Sequence, residues 1–292
     1  MTLLKNLEVD GGAGAAAPHV PPPGRVAARG GPSWVAAAVS TVGAGIAGLA
    51  VLVGLWGVAA SSVRELPSPA DTFSQLWALL SSPFYDNGPN DKGIAVQLAA
   101  SLTRVFKGFG LAAVVGVPFG LLLGTGKWAW RAANPVVQLL RPVSPLAWFP
   151  IWLVILKDAP KAAVWVIFVT ALWPIVINTA AGAAAVPRDH RNVARVFRFG
   201  RLAYVRHVVL PDSLPAIVTG LRQSMGVAWM VIVAVEMLSG GTGIGFFVWD
   251  SYNALNLAKV LSAILVIGAV GLVLDLLFLR LGRAVAVEKG RA

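Results

Sequence analysis

The sequence has 292 residues, of which 57% are hydrophobic and only 13% are charged. A soluble domain carries roughly 25% charged residues, and the apolar residues here fall in long blocks, so an ordinary soluble protein is excluded and membrane spans are indicated. The formal net charge is +11, but the basic residues stand at the ends of the apolar blocks, which indicates membrane topology rather than nucleic-acid binding. The absence of cysteine excludes disulfides and thiolate metal sites.

The N-terminal residues 1–32 are rich in Gly, Ala and Pro and lack the continuous apolar stretch of a signal peptide. We expect them to form a disordered cytoplasmic tail. The first apolar block follows at about Trp34–Ala60 and predicts the first transmembrane helix. The Pro- and Asp-rich segment 61–93 then predicts an external loop, within which Thr72–Leu80 is compatible with a helix at the membrane interface.

Five further apolar blocks have about the 20 residues that a helix needs to cross the hydrocarbon core. Their approximate bounds are 94–124, 135–156, 162–185, 214–238 and 257–281. Pro142, Pro145 and Pro150 interrupt the second of these blocks, which predicts a broken or re-entrant segment beside a path. The predicted fold is an all-α membrane protein with about six transmembrane helices. Its expected parts are a tail at 1–32, a first span with an external loop at 33–93, a core of five spans at 94–283 and a cytoplasmic tail at 284–292.

The distribution of Lys and Arg predicts the orientation of these spans, because basic residues favour the cytoplasmic side. With the N-terminus inside, the expected external segments contain Arg64, Lys92, Lys157 and Lys161. The expected cytoplasmic segments contain many more basic residues: Lys5, Arg25, Arg29, Lys127, Arg131, Arg188, Arg191, Arg195, Arg198, Arg201, Arg206, Arg280, Arg283, Lys289 and Arg291. We therefore expect spans in a bacterial inner membrane, with both termini in the cytoplasm.

The sequence offers no set of residues for catalysis or metal binding. None of the three histidines, His19, His190 and His207, shares an apolar block with a serine or carboxylate partner. The stretch 120–128 superficially resembles a phosphate-binding loop, but it has Leu121 in place of the first glycine and Trp128 in place of the metal-binding Ser or Thr. We expect no catalytic site, metal or cofactor in this chain, so active transport would draw energy from another chain or an ion gradient.

Charged residues inside the apolar blocks are costly and therefore informative. Glu236 is expected to pair with a neighbouring helix, and Asp275 to join helices in the same way. For Arg141 and Arg222 two interpretations stay open: a functional role inside the membrane, or a side chain that extends to the headgroups.

The segment Pro187–Pro211, between the predicted fourth and fifth spans, is basic and amphipathic. Its arginines recur every three or four residues and so share one side of a helix: Arg188, Arg191, Arg195 and Arg198. An apolar stripe lies beside them: Val193, Val196, Phe197 and Gly200. We expect a helix at about 188–200 that ends at Gly200. The pattern fits either an interfacial helix or a docking site for a partner.

The spacing within this segment resembles the "EAA" loop of ABC importer permeases, which reads Glu-Ala-Ala, three residues, Gly, nine residues and Ile-x-Leu-Pro. Here Asn192-Val193-Ala194 precedes Arg198 by three residues, and Val208-x-Leu210-Pro211 follows after nine. The chain departs from the pattern at Asn192, Val193 and Arg198. The resemblance implies a coupling helix that contacts a separate ATPase. The residues implied in this contact are Arg188, Arg191, Asn192, Val193, Ala194, Arg195, Phe197, Arg198, Gly200, Leu210 and Pro211.

Several further segments resemble the nitrate/sulfonate/taurine subfamily of these permeases, and they are most similar to its nitrate/bicarbonate/cyanate branch. The matching segments are 141–150, 173–178, 191–195, 214–222, 226–229, 235–238 and 240–250. The resemblance covers about residues 94–283 and implies the type I ABC importer permease fold.

The resemblance also implies an assembly and a cargo. The implied partners are a second permease copy in a homodimer, cytoplasmic ATPases that use ATP and Mg, a periplasmic binding protein and the lipid bilayer, with no nucleic acid. Nitrate or nitrite is the first candidate cargo, and cyanate, bicarbonate, taurine and other sulfonates are the alternatives. A stand-alone carrier or channel and a membrane scaffold without transport are the alternatives of other classes.

An anion path is expected to carry hydrogen-bond donors, and a cation, in an otherwise apolar cavity. The candidates in this sequence are Ser144, Trp148, Trp173, Asn178, Thr179, Thr219, Arg222 and Ser224. For each of these residues, packing between helices is the alternative role.

Overall fold

The computed structural model describes residues 34–88 and 91–289. The predicted tail at 1–32, with Lys5, Arg25 and Arg29, lies outside the described residues, as does Arg291. The chain divides into two units between Leu52 and Val53, so the first helix is split between them and every later element belongs to the second unit.

The described residues form helices, a short π-helical turn and connecting loops, without a named strand. The helices are α1 Trp34–Ser62, α2 Pro69–Ser81, α3 Ile94–Thr125, α4 Lys127–Leu140, α5 Pro145–Leu156, α6 Ala159–Ala184, α7 Arg188–Val196, α8 Arg201–Tyr204, α9 Leu210–Ser239, α10 Ile244–Asn253 and α11 Leu257–Lys289. The π-helical turn Val205–Val209 joins α8 to α9. The predicted all-α class is confirmed.

Five stretches are long and apolar enough to cross a membrane: Gly43–Ser62, Ile94–Thr125, Ala159–Ala184, Arg201–Ser239 and Leu257–Ala284. The pair Trp128–Leu140 and Pro145–Leu156 forms a sixth, which is bent by 92°. The prediction of about six spans with one broken span is therefore confirmed. The span Arg201–Ser239 is the longest, at 39 residues, because α8, the π-helical turn and α9 run on without interruption.

The broken span differs in its bounds from the predicted block 135–156. The helical part begins earlier, at Lys127, and stops at Leu140 before resuming at Pro145. Arg141 caps α4 with helical geometry, and Pro142 has no N–H with which to continue the helical hydrogen bonds. Pro145 occupies the first turn of α5, where a missing N–H costs nothing.

Helices α3, α6 and α9 form the centre of the core. Glycines of α3 allow the close approach of α6: a Cβ at Gly120 would lie 2.6 Å from the Thr179 Cβ, and one at Gly124 would lie 2.3 Å from the Ala180 carbonyl oxygen. Ile167 and Ile175 of α6 are fully buried beside this seam. Helix α6 therefore packs between α3 and α9 at the centre of the core.

Helix α2 agrees with the interfacial helix predicted at Thr72–Leu80. It starts with a capping box in which the Ser68 hydroxyl accepts from the Asp71 backbone N–H and the Asp71 carboxylate accepts from the Ser68 N–H. Its Thr72 carbonyl accepts a hydrogen bond from Ser262 of α11, at 2.9 Å. Phe73, Trp77 and Leu80 remain exposed along one side, which is the pattern of a helix that lies on a membrane surface.

Helix α10 was not predicted, because residues 239–256 were interpreted as a loop. It follows a glycine-rich turn in which Gly240 and Gly243 have φ values of +71° and +159°. The turn is fixed from α3: the Gln97 Oε1 accepts from the Gly243 N–H at 2.6 Å, and the Ser101 Oγ accepts from the Ile244 N–H at 2.8 Å. The helix thus depends on partners far away in the sequence.

Candidate coupling helix and translocation path

Helix α7 begins at Arg188 as predicted but ends at Val196, four residues before Gly200. Its end is a Schellman motif, in which the Phe199 N–H donates to the Ala194 carbonyl at 3.0 Å and the Arg198 N–H donates to the Arg195 carbonyl at 3.1 Å. Arg198 holds the left-handed conformation of this motif, with φ of +50°. The prediction that Gly200 ends the helix was wrong, since Gly200 instead precedes α8.

The position of Arg198 explains a feature of the sequence pattern. The family motif has glycine at this position, and glycine is the residue that adopts a positive φ without steric cost. This chain adopts a positive φ at this position with an arginine.

One side of α7 faces the core and the other side is free in the described part of the chain. Ala194 is buried, whereas Val193, Val196 and Phe197 are 52%, 78% and 69% exposed. The other residues predicted for the ATPase contact are placed as follows: Arg188, Asn192, Arg195, Arg198, Gly200 and Pro211 are exposed, Arg191 is half-buried, and Leu210 is half-buried at the start of α9. An exposed apolar face bordered by arginines is a surface for a partner.

Two polar contacts fasten α7 to the core helices. The Arg191 Nη2 donates to the Ala184 carbonyl at the end of α6, at 2.6 Å. The His190 Nδ1 lies 2.5 Å from the Asp212 Oδ2 at the start of α9. Helix α7 is therefore in direct polar contact with α6 and α9.

A cavity of about 310 Å³ lies at the break between α4 and α5, against α6 and α9. Three of the predicted path residues line it, namely Ser144, Trp148 and Trp173. The polar members of the lining that the sequence analysis did not assign to the path are Arg141, Thr170 and Gln223. Trp173 and Gln223 lie near the middle of their helices, so the cavity lies well inside the spans.

The other predicted path residues lie elsewhere. Asn178 is next to the cavity and donates to the Gln223 Oε1 at 3.2 Å. Thr179 is buried against α3. Ser224 is also buried, and its hydroxyl donates to the Ala171 carbonyl at 2.7 Å. Both residues therefore lie in contacts between helices. Thr219 and Arg222 line a separate groove between α9 and α11.

The charged residues of the spans are largely satisfied by one another. The Glu236 carboxylate accepts from Ser101 at 2.7 Å, from Arg104 at 2.5 Å and from the Gly245 N–H at 3.1 Å. Arg222 donates two hydrogen bonds to Asp275, each of 2.7 Å. The predicted pairing of Glu236 and Asp275 with neighbouring helices is confirmed, and Arg222 has a carboxylate partner in Asp275.

The loop between α5 and α6 carries a titratable group outside the spans. The Asp158 carboxylate accepts from the Lys161 backbone N–H at 2.9 Å and pairs with the Lys161 ammonium at 3.2 Å. The backbone hydrogen bond, followed by the bond to the ammonium, lowers the pKa of Asp158. Asp158 thereby fixes the point at which α6 begins. Within residues 34–88 and 91–289, no group of three or more His, Cys, Asp or Glu side chains is arranged to hold a metal ion.

Comparisons with known proteins agree with this arrangement. The family model "Binding-protein-dependent transport system inner membrane component" matches residues 116–287. The nitrate import permease protein NrtB of Synechocystis is 47% identical over 78% of this chain and 83% of its own length. The bicarbonate transport system permease protein CmpB of Synechococcus elongatus is 45% identical over 79% of this chain and 84% of its own length. Both relatives come from the branch that the sequence motifs predicted.

The solved structures support the same fold. A chain of the MetNI methionine ABC transporter in an inward-facing conformation matches 66% of this chain and 95% of its own length, with a TM-score of 0.60 and 18% identity. At that identity the likeness concerns the fold alone. It confirms the predicted importer-permease architecture.

Proposed function

Because the chain belongs to the family of inner membrane components of binding-protein-dependent transport systems, we propose that it is the permease subunit of an ATP-driven importer that moves a small anion into the cytoplasm. Nitrate or nitrite is the first candidate cargo, since the nitrate import permease of Synechocystis is 47% identical. Bicarbonate follows, supported by a relative of 45% identity. Cyanate, taurine and other sulfonates are the further alternatives.

The observation that carries this proposal is the unpartnered face of α7. Val193, Val196 and Phe197 are exposed beside Arg195, while the opposite side of the helix is fastened to α6 and α9. A hydrophobic patch with a basic rim fits a groove on a cytoplasmic ATPase, in which the apolar side chains supply contact area and the arginines supply orientation. ATP and Mg would be used by that partner.

The rest of the proposed assembly follows from this arrangement. A second copy of the chain would complete a homodimer across a two-fold axis, and a periplasmic binding protein would deliver the anion. The basic α7 segment and both termini would face the cytoplasm. The core at 94–283 would carry the path.

The proposed mechanism depends on the two polar contacts that hold α7 against α6 and α9. Closure of the ATPase dimer on ATP would shift α7, and the contacts of Arg191 with Ala184 and of His190 with Asp212 would carry that shift into α6 and α9. The cavity between α5, α6 and α9 would then open alternately to either side of the membrane.

The double variant Arg195→Glu, Phe197→Asp tests the coupling helix. It reverses one charge and buries one carboxylate in the proposed interface, so co-purification of the ATPase and anion uptake should both be lost. The control Val63→Asp, Arg64→Glu makes the same type of change at the end of α1, where Val63 is 48% exposed, and should leave both unchanged. Retained ATPase binding and uptake in the first variant would refute the role of α7.

Uptake assays test the cargo and the class of transporter. Labelled nitrate should enter proteoliposomes only when the ATPase and the binding protein are present. Competition by unlabelled taurine but not by nitrite would reverse the proposed order of cargoes. Uptake by the purified chain alone, without ATPase, would favour a stand-alone carrier instead.

A further inference from the structure

The cavity at the break between α4 and α5 contains a single charged side chain. Its lining, as the structure describes it, includes the guanidinium of Arg141 and no carboxylate. The remaining polar residues are Ser144, Trp148, Trp173 and Gln223, while the Thr170 hydroxyl already donates to the Val166 carbonyl at 2.7 Å. The cavity is therefore positive and rich in hydrogen-bond donors.

Arg141 differs from Arg104 of α3 and Arg222 of α9. Arg104 is paired with Glu236 and Arg222 is paired with Asp275, each across to a neighbouring helix. The Arg141 side chain makes no ion pair or hydrogen bond with any residue in 34–88 or 91–289. Arg141 is exposed in the break between α4 and α5 and lines the cavity. An unpaired guanidinium in this position can receive an anion through charge-assisted hydrogen bonds.

The orientation of Gln223 adds a second donor to the same cavity. The Asn178 Nδ2 donates both to the Pro174 carbonyl, at 2.8 Å, and to the Gln223 Oε1, at 3.2 Å. The two N–H groups of Asn178 are thus used, and the oxygen of Gln223 is held by them. The Gln223 NH₂ group therefore remains available to the cavity, where it can donate to an anion. A carbonyl oxygen in the same position would repel an anion.

We propose that Arg141 binds the transported anion in the cavity between α5, α6 and α9, and that Gln223, oriented by Asn178, donates a further hydrogen bond to it. A guanidinium offers two parallel N–H donors that match two oxygens of a planar oxyanion such as nitrate or bicarbonate. The inference rests on the proposed function, since it identifies the group that the cargo meets on its path. Arg141 is then a specificity-determining residue that admits small oxyanions and disfavours cations and neutral molecules.

The test uses the complete assembly of permease, ATPase and binding protein in proteoliposomes, with labelled nitrate and labelled bicarbonate in separate arms. Arg141→Gln should lower uptake of the anion that the transporter carries by at least about tenfold, the scale of one lost charge-assisted hydrogen bond. Arg141→Lys keeps the charge but loses the planar pair of donors, so it should raise the concentration for half-maximal uptake with a smaller loss of maximal rate. Gln223→Glu places a carboxylate beside the anion and should reduce uptake at least as much as Arg141→Gln.

The control is Arg131→Gln, which removes an arginine of α4 that stacks over Trp128, outside the cavity lining, and should leave uptake unchanged. Co-purification of the ATPase with each variant distinguishes a loss of uptake from a loss of assembly. If Arg141→Gln does not assemble, uptake by Arg141→Lys and Gln223→Glu tests the proposal instead. Wild-type uptake in the assembled Arg141→Gln or Gln223→Glu variant would overturn this inference and leave the proposed function standing. A wild-type assembly that takes up neither anion, nor nitrite, cyanate or a sulfonate, would overturn the proposed function itself.

Discussion

Two regions of the core are held together in opposite ways. The Glu236 network, formed by Gln97, Ser101, Arg104, Glu236 and the turn 240–245, is buried, and Glu236 is 1% exposed with three donors around its carboxylate. The α7 segment, residues 188–200, has two fastenings and leaves its apolar side chains exposed. The first region is satisfied by the chain itself and acts as a frame. The second presents an exposed apolar surface that the ATPase would cover in the proposed assembly, as a coupling site requires.

The largest effect is expected from breaking the Glu236 network. Glu236→Ala removes the counter-charge of the Arg104 guanidinium, which keeps only the Thr242 carbonyl as an acceptor among the described residues, so the free energy of unfolding should fall by about 3–5 kcal/mol. Thermal unfolding of the purified protein in detergent measures this change. Asp275→Asn removes one partner of a solvent-exposed pair and should lower the free energy of unfolding far less. Equal losses in the two variants would contradict the distinction between a buried frame and a surface pair.

Glycine substitutions sharpen the comparison without a change of charge. A Cβ at Gly245, next to Glu236 in the network, would lie 2.1 Å from the Val233 carbonyl oxygen, so Gly245→Ala should displace α10 and cost about 2 kcal/mol. A Cβ at Gly200, in the α7 segment, would meet no described atom within 4 Å. Gly200→Ala should therefore leave the melting temperature unchanged. A larger loss at Gly200 than at Gly245 would invert the expected order.

A smaller and local effect is expected from the fastening of α7. His190→Ala removes the contact with Asp212 and should lower the local stability of α7 by about 1 kcal/mol. Hydrogen exchange followed by mass spectrometry should show faster exchange across 188–199, with α3 and α6 unchanged. Global unfolding should barely shift, because α7 contributes little to the buried core. Unchanged exchange in α7 would show that Arg191 alone fastens it.

The smallest effect has the opposite sign. Arg198→Gly relieves a left-handed conformation that costs an L-residue about 1 kcal/mol, so it should stabilise the end of α7 by up to that amount. The same exchange experiment should then show slower exchange at Phe197–Phe199. Faster exchange would mean that the Arg198 side chain contributes more than its backbone costs.

Much of the fold could be predicted because long apolar runs have few alternatives. The predicted blocks at 94–124 and 257–281 begin where α3 and α11 begin, and the prolines at 142 and 145 correctly indicated the break. The end of α7 was predicted wrongly because Arg198 adopts the left-handed backbone conformation there. Residues other than glycine rarely adopt it, so the sequence favoured an end at Gly200. Helix α10 was missed because the hydrogen bonds that fix its first turn come from Gln97 and Ser101 of α3.

The candidate path was predicted only in part, for a geometrical reason. Residue type indicates which side chains are able to bind an anion, but the rotation of each helix decides where they face. Ser144 and Trp173 face the cavity, whereas Ser224, one residue after Gln223, is turned to the Ala171 carbonyl. The donor role of Gln223 depends on its contact with Asn178, from another helix. The sequence contains both residues, but nothing in it pairs them.

The unbroken span Arg201–Ser239 turns a small rotation into a large movement. Its 39 residues extend over about 58 Å, nearly twice the roughly 30 Å of the hydrocarbon core. If the span pivots near Gln223, the end at Arg201 is about 33 Å from the pivot. A tilt of about 10° then moves that end by about 5–6 Å, the length of one helical turn. The span therefore acts as a lever, with its long arm next to α7 and its fulcrum at the cavity, so a motor stroke of one helical turn needs only a slight rocking beside the anion.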